Sequence, residues 1–311
     1  MGTPDFAVPS LEAVASMCEV VAVVTRPDRP RGRGQKVAES EVALAAHTLG
    51  IEVMKPTDSN HDSVRGAVAE RSPDLFAVVA FGAILSRAML AVPRLGAINL
   101  HGSLLPRYRG ASPVQQALWD GCSATGVTTL WMDAGVDTGD LILQRWEPIL
   151  PEDDAGQLAR RLAEVGAPLL VRSLLLAHQG QAPRRAQDSA DASMARKLSK
   201  SDGVVDWDLD AEQVWNHARA VSPWPGAVTR RGGKSLRISR ARPLHRLMND
   251  APGGTLLEIG AHGIHVACHP GALCIERVVP EGRPEMDAAD WARGARLEVG
   301  ERLGEVEGAR A

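Results

Sequence analysis

The stretch Ala97-Ile98-Asn99-Leu100-His101-Gly102-Ser103-Leu104-Leu105-Pro106 opens as a buried apolar strand and closes in a turn at its proline. Strand side chains two positions apart point the same way, so Asn99 and His101 project together. An amide donor therefore sits beside an imidazole. Working outward, residues 20–24, 75–81 and 127–131 are further near-continuous apolar runs, the pattern of parallel strands covered on both faces. Helical patterns at residues 9–16 and 37–49 fall between them, the second ending at Gly50. Strands alternating with helices predict an α/β domain with a parallel sheet.

Residues 153–177 carry Leu158, Leu162, Val165, Leu169, Leu170 and Leu174 at helical spacing, with Gly166 and Pro168 as points where the helix could divide. Residues 178–200 are polar and read as an exposed linker. Beyond them come a helix at residues 211–220 and short alternating segments at 236–239, 254–259, 263–268 and 273–279, the pattern of a small β-barrel. The domains expected are residues 1–177 and 201–311. One element is missing from this plan. A parallel α/β domain usually starts with a strand, yet Met1 leads directly into loop-like Gly2-Thr3-Pro4-Asp5-Phe6.

The 311 residues are 44% apolar and 23% charged, ordinary for a soluble globular chain, and no apolar run reaches transmembrane length. No signal-peptide pattern opens the sequence, so a cytoplasmic location is expected. Cys18, Cys122, Cys268 and Cys274 form no C-x-x-C pair and read as reduced thiols. A net charge of −3 predicts no polyanion partner globally, and aromatics at 4% limit base-stacking platforms. Local clusters must carry any nucleic-acid argument.

Residues 132–140, Met-Asp-Ala-Gly-Val-Asp-Thr-Gly-Asp, form an acidic loop between two predicted strands. Its three acids lack the ligand alternation of a Ca²⁺ or Mg²⁺ loop. A carboxylate that tunes a histidine is the better fit. Asn99 would then donate to a developing oxyanion, His101 would accept an amine proton near neutrality, and Asp137 would orient His101. Attack of a neutral amine on an activated acyl carbon is the chemistry these groups suit.

Residues 99–110 and 135–140 resemble the signatures of folate-dependent formyltransferases. Gly2-Thr3-Pro4-Asp5-Phe6-Ala7, Arg26-Pro27-Asp28-Arg29-Pro30, Gly32-Arg33-Gly34-Gln35-Lys36, Lys197-Leu198-Ser199-Lys200, Asp206-Trp207 and Pro223-Trp224-Pro225 extend the resemblance along almost the whole chain, toward members acting on initiator tRNA. The resemblance implies a Rossmann-like domain followed by an OB-like barrel. It implies transfer of a formyl group from 10-formyltetrahydrofolate to the amino group of methionine on initiator tRNA. It places Asn99, His101 and Asp137 at catalytic positions, Ser103, Leu104, Leu105 and Pro106 against the folate, and Phe81, Gly82 and Ile84 on a second folate wall. No metal is implied, and a monomer is expected.

Residues 26–36 set Arg26, Arg29, Arg31, Arg33 and Lys36 against one acid, Asp28, in a segment whose prolines and glycines exclude a regular helix. The resemblance makes this mobile basic loop the one that reaches the acceptor stem, with Arg33 foremost. A second basic element holds Arg219, Arg230, Arg231, Lys234, Arg237, Arg240, Arg242 and Arg246, with no Asp or Glu across residues 213–249. His262, His265, Cys268, His269 and Cys274 mimic a zinc set but alternate across strand faces, and the glycines of residues 32–36 lack P-loop spacing. Two rivals stand beside this assignment: a formyltransferase for a small amine, which would not need the basic loop, and a non-catalytic RNA-binding protein, which would not need the 99–110 motif. The missing first strand departs from the family pattern and suggests a start assigned too late or a shortened chain.

Overall fold

A computed structural model describes residues 1–31, 36–244 and 250–304, and the chain divides into two compact units. The first comprises Met1–Pro113, Ala124–Pro148 and Gln157–Arg196; the second comprises Val114–Ser123, Ile149–Gly156 and Lys197–Ala311.

In the first unit α1 (Val8–Met17) opens with Pro9 in its first turn, where the missing N–H costs nothing. Then follow β1 (Val23–Val24), β2 (Arg29–Arg31), β3 (Lys36–Ala38) and α2 (Glu41–Thr48). The helix expected from residue 37 begins later, because the Ser40 hydroxyl caps it by accepting from the Ala43 N–H, and residues 36–38 pair with 29–31 in a hairpin instead. β4 (Val53–Met54), α3 (Asp62–Glu70), β5 (Phe76–Val79), α4 (Arg87–Leu90), β6 (Ala97–His101) and β7 (Arg109–Gly110) continue the unit, and α5 (Pro113–Trp119), which counts with the second unit from Val114 on, follows in the chain. β8 (Ala124–Trp131), β9 (Leu141–Pro148) and α6 (Ala155–His178) come next.

β4 pairs in parallel with β1, and β5 with β6, but β8 and β9 add antiparallel, in the order β5-β6-β8-β9. The sheet is therefore mixed rather than parallel throughout, since the short β8–β9 connection returns the chain directly instead of through a crossover helix. Between β1 and β5, where a first strand was expected, Met1 and Gly2 make one register of pairing: Gly2 N donates to Val24 O at 3.2 Å, and Met1 O accepts from Val79 N at 2.9 Å. Next to that register lies a slot of about 660 Å³ lined by residues that include Val14, Val20, Ala22, Leu75, Ala77 and Leu174.

Helix α6 is not divided at Gly166 or Pro168. Leu158, Leu162 and Leu170 are fully buried along it, and Gly166 lets it approach Leu100 where a Cβ would stand 2.7 Å from that side chain. Residues 178–193 are largely exposed, yet the segment counts with the first unit and is pinned to it. β10 (Met194–Ala195) pairs with β7, and Trp131 Nε1 donates to Pro183 O at 3.0 Å.

The second unit carries α7 (Ala211–Ala220) and the strands β11 (Ala227–Arg231), β12 (Lys234–Leu244), β13 (Leu256–Gly260), β14 (Gly263–Ala267), β15 (Ala272–Pro280) and β16 (Met286–Asp287), followed by α8 (Ala288–Gly294). Its strands form one antiparallel sheet in the order β11-β12-β15-β14-β13, with β16 also on β15. Among the described residues β11 and β13 do not pair, so the sheet is not closed by its ladders. Leu236, Leu256, Ile264, Leu273, Ile275 and Val278 form its core together with Val214 of α7.

Candidate active site

Asn99 lies in the middle of β6 and His101 at its end, opposite Leu130 and Thr128 of β8. The loop between β8 and β9 delivers Asp137 to both. Its Oδ1 accepts from Asn99 Nδ2 at 3.1 Å, its Oδ2 accepts from the Gly110 N–H at 2.8 Å, and His101 Nδ1 stands 3.5 Å from Oδ2. The His101 and Asp137 side chains are only 6% and 14% exposed, so water screens this cluster weakly.

His101 Nε2 lies 2.8 Å from the Tyr108 carbonyl oxygen. A carbonyl can only accept, so Nε2 carries a proton, and in the neutral ring Nδ1 keeps its lone pair toward Asp137. A proton arriving at Nδ1 would turn that approach into an ion pair. The geometry thus favours a proton-accepting role on the nitrogen that faces the carboxylate.

The local backbone is forced into this arrangement. Tyr108 and Asp137 adopt left-handed conformations, with φ of 61° and 54°, a strain that persists only where surrounding contacts over-determine it. Gly110, with φ of 114°, has Ala195 O where a Cβ would come within 2.6 Å. Gln187 supplies the remaining restraint. Its Nε2 donates to the carbonyls of Asp137 and Gly139, both at 2.8 Å, while its Oε1 accepts from Arg109 Nε at 3.0 Å and Nη2 at 2.8 Å. Sequence reasoning missed Gln187, since it lies in a polar stretch with no motif around it. Asp133 serves its own loop by accepting from Gly135 N and Thr138 Oγ1, and Asp140 stands 4.0 Å from Arg184.

The turn after β6 is internally bonded. Ser103 Oγ donates to Arg107 O at 2.6 Å, Thr128 Oγ1 donates to Ser103 O at 2.7 Å and accepts from Leu105 N at 3.1 Å, and Gln144 Nε2 donates to Leu105 O at 2.8 Å. Leu105 is buried with Leu130 and Leu141, whereas Leu104 and Pro106 are half-buried. Phe81 is buried, Gly82 has φ of 74°, and Ile84 is 72% exposed. Thr3 Oγ1 holds Phe81 O at 3.0 Å, Arg26 Nη1 donates to Gly82 O, and Asn60 Nδ2 holds Ile84 O at 2.8 Å.

Of the basic residues singled out, Arg26 is half-buried and Arg29 exposed at the β2–β3 hairpin. Arg33 and the side chain of Lys36 lie outside the described residues, as does Arg246. Arg230 and Lys234 are exposed at the turn joining β11 to β12. The rest of the second basic element is less free than its sequence suggests. Arg231 pairs with Glu301 at 3.0 Å, and Arg240 and Arg242 both reach Glu276, at 2.9 and 3.1 Å. Strand pairing between β12 and β15 brings Glu276 in from outside the one-sign stretch, and Glu301 comes from the segment after α8. In the supposed zinc set, the ladder places Cys274 opposite His265, whose Nδ1 stands 2.9 Å from Glu258. Among the described residues no group of three His, Cys, Asp or Glu is arranged to hold a metal, and no helix is long and apolar enough to cross a membrane.

A mixed α/β sheet that carries an amide and an imidazole on one strand, both held by a single carboxylate, defines an enzyme domain, here followed by a β-rich unit. The chain belongs to the formyl transferase family: the formyl transferase model matches residues 5–174 and its C-terminal domain model residues 197–296. It is 43% identical over 305 residues to a methionyl-tRNA formyltransferase of Geobacter metallireducens, covering 98% of this chain and 97% of that one. It is 45% identical to a methionyl-tRNA formyltransferase of Moorella thermoacetica, covering 98% of each. The crystal structure of an N-formyltransferase from Helicobacter canadensis, in complex with folinic acid and dTDP-3-aminofucose, shares the fold with a TM-score of 0.65 at 18% identity, covering 88% of this chain and 97% of that one.

Proposed function

We propose that this chain transfers the formyl group of 10-formyltetrahydrofolate to the amino group of methionine on initiator methionyl-tRNA, giving N-formylmethionyl-tRNA for translation initiation. The observation that carries this is the sharing of one carboxylate, Asp137, by Asn99 and His101. When bound, the folate supplies an electrophilic formyl carbon and leaves through its nitrogen.

Asn99 has two amide hydrogens and spends one on Asp137 Oδ1, so the other is available to the oxyanion that develops as the amine adds. His101 takes the amine proton at Nδ1, where Asp137 Oδ2 stabilises the resulting imidazolium, and gives it to the departing folate nitrogen as the oxyanion collapses and the old C–N bond breaks, so that tetrahydrofolate leaves as a neutral amine. Gly110 N–H and Gln187 keep Asp137 from rotating away. On this reading Leu104 and Pro106, half-buried beside the cluster, touch the folate directly, whereas Ser103 and Leu105 shape the turn from inside. Residues 81–84 contribute a second wall through exposed Ile84. Arg26, Arg29, Arg33 and Lys36 engage the tRNA acceptor end, and in the second unit Arg230 and Lys234 supply a basic surface of their own on an OB-like sheet, with Arg231 acting through its Glu301 pair. The chain works as a cytoplasmic monomer of two domains, 1–177 and 201–311, joined by residues 178–200.

The test is formyl transfer to charged initiator tRNA, assayed beside a free amino-sugar nucleotide. Transfer to tRNA alone supports the proposal. Transfer to the sugar alone would assign the chain to the small-amine formyltransferases, and transfer to neither would leave only RNA binding.

A further inference from the structure

The basic β2–β3 hairpin has two feet, Asp28 just before β2 and Glu39 just after β3, and both are acidic. Lys55, directly after β4, reaches both at once: its Nζ lies 2.8 Å from Asp28 Oδ1 and 3.1 Å from Oδ2, and it also donates to Glu39 Oε1. Glu39 is shared further with His47, 3.2 Å away. Underneath, the hydroxyls of Thr25 and Ser40 meet at 2.8 Å in a buried contact between the same two chain ends, and Arg26 is tied to the Gly82 carbonyl. The pairing with Asp28 and Glu39 raises the Lys55 ammonium above its ordinary range and the pairing with Lys55 lowers the Glu39 carboxyl, so the Lys55–Glu39 pair stays charged near neutrality.

Two consequences follow for the hairpin. Its strands are each short, so its direction is set by its feet, and both feet are fastened to one atom at the end of β4. Residues 26–39 hold five cations and two acids. Lys55 offsets one of those negative charges next to the arginines that would face phosphate.

We propose that Lys55 is a positioning residue for the RNA substrate: by clamping Asp28 and Glu39 it aims the basic hairpin and keeps its positive field from being cancelled at the base. The inference rests on the assignment of this hairpin to tRNA contact. A surface ion pair ordinarily contributes little to stability, so the effect belongs in substrate capture rather than in folding.

The experiment is steady-state formyl transfer with charged initiator tRNA for the unmodified chain, Lys55→Met, Lys55→Arg and Arg29→Ala. Lys55→Met should raise KM for tRNA roughly fivefold, the scale of one negative charge left uncompensated beside the phosphate contacts, with kcat and the KM for 10-formyltetrahydrofolate within about twofold. Lys55→Arg should restore the tRNA KM. An unchanged tRNA KM in Lys55→Met, or an equal rise in both KM values, overturns the inference. Arg29→Ala separates the two levels: if it changes the tRNA KM while Lys55→Met does not, only the clamp is wrong, and if neither changes it the hairpin is not the RNA contact.

Discussion

Two carboxylate-centred arrangements in the first unit handle charge in opposite ways. At Asp137 the acid is buried, its oxygens are engaged by a side-chain amide, a main-chain N–H and an imidazole, and its own backbone is fixed by Gln187. At the hairpin feet, Asp28 and Glu39 are about one-third exposed, 31% and 34%, and share one flexible lysine. Bond-making chemistry tolerates little displacement of the reacting groups, which a locked, mostly buried cluster provides. Capture of a long polyanion needs only the right sign of charge in the right direction, which exposed pairs provide.

The sharpest way to break this comparison is at the buried end. Asn99→Ala, His101→Ala and Asp137→Asn should each lower kcat for formyl transfer on the order of a hundred- to a thousandfold, with thermal midpoints showing that the variants remain folded. Retention of more than a tenth of the activity in any of them would remove that residue from the mechanism. Gly110→Ala should come next, since the new Cβ would meet Ala195 O at 2.6 Å on a backbone with φ of 114°; a loss of about 1–3 kcal/mol in denaturant unfolding is expected, together with reduced kcat. Gln187→Ala leaves every group that touches the Asp137 carboxylate in place and loosens only the loop, so kcat should fall about tenfold while KM for both substrates holds. A fall in tRNA affinity alone would instead place Gln187 with the RNA contacts.

At the exposed end the effects should be smaller and salt-dependent. KM for tRNA should rise steeply with added salt, and Arg29→Ala should reduce the slope of log KM against log salt by roughly one unit. A flat salt profile would count against the hairpin and the second-unit cations together. The smallest effect lies away from both regions. His217 is buried in the second unit with Nε2 donating to Asp202 O at 2.7 Å, and burial depresses its pKa below the ordinary value. Below about pH 6.5 the unfolded chain binds a proton that the folded ring refuses. Stability should therefore be lost as pH falls from that value toward the depressed one, and His217→Gln should flatten the dependence in thermal unfolding followed from pH 7 to 5.

The strand pattern around residues 97–101 and the helical spacing of residues 153–177 were legible because periodic burial is a local property of sequence. The antiparallel direction of β8 was not, because β8 is covered on both faces and so carries the continuous apolar run usual in parallel strands. Helix α2 starts later than its amphipathic pattern predicts. The amphipathic pattern ran on into residues 37–40, and only the cap at Ser40 and the pairing of β3 with β2 ended it there. Within the site, Asn99 and His101 could be paired from strand alternation alone, whereas Gln187 was invisible because its partners are main-chain carbonyls on a loop almost fifty residues away in sequence.

By itself, then, the sequence determined which groups exist for chemistry and which segments bury: an amide and an imidazole two apart, a carboxylate in a glycine loop, and a dense run of arginines. Tertiary structure decided which charges remain available. It brought Asp137 onto Asn99 and His101, gave Arg231, Arg240 and Arg242 to Glu301 and Glu276, and set Lys55 between the hairpin's two acids. The reason is physical. Burial periodicity is encoded by neighbours in the chain, while electrostatic pairing depends on distances of a few ångströms between residues that only folding makes neighbours.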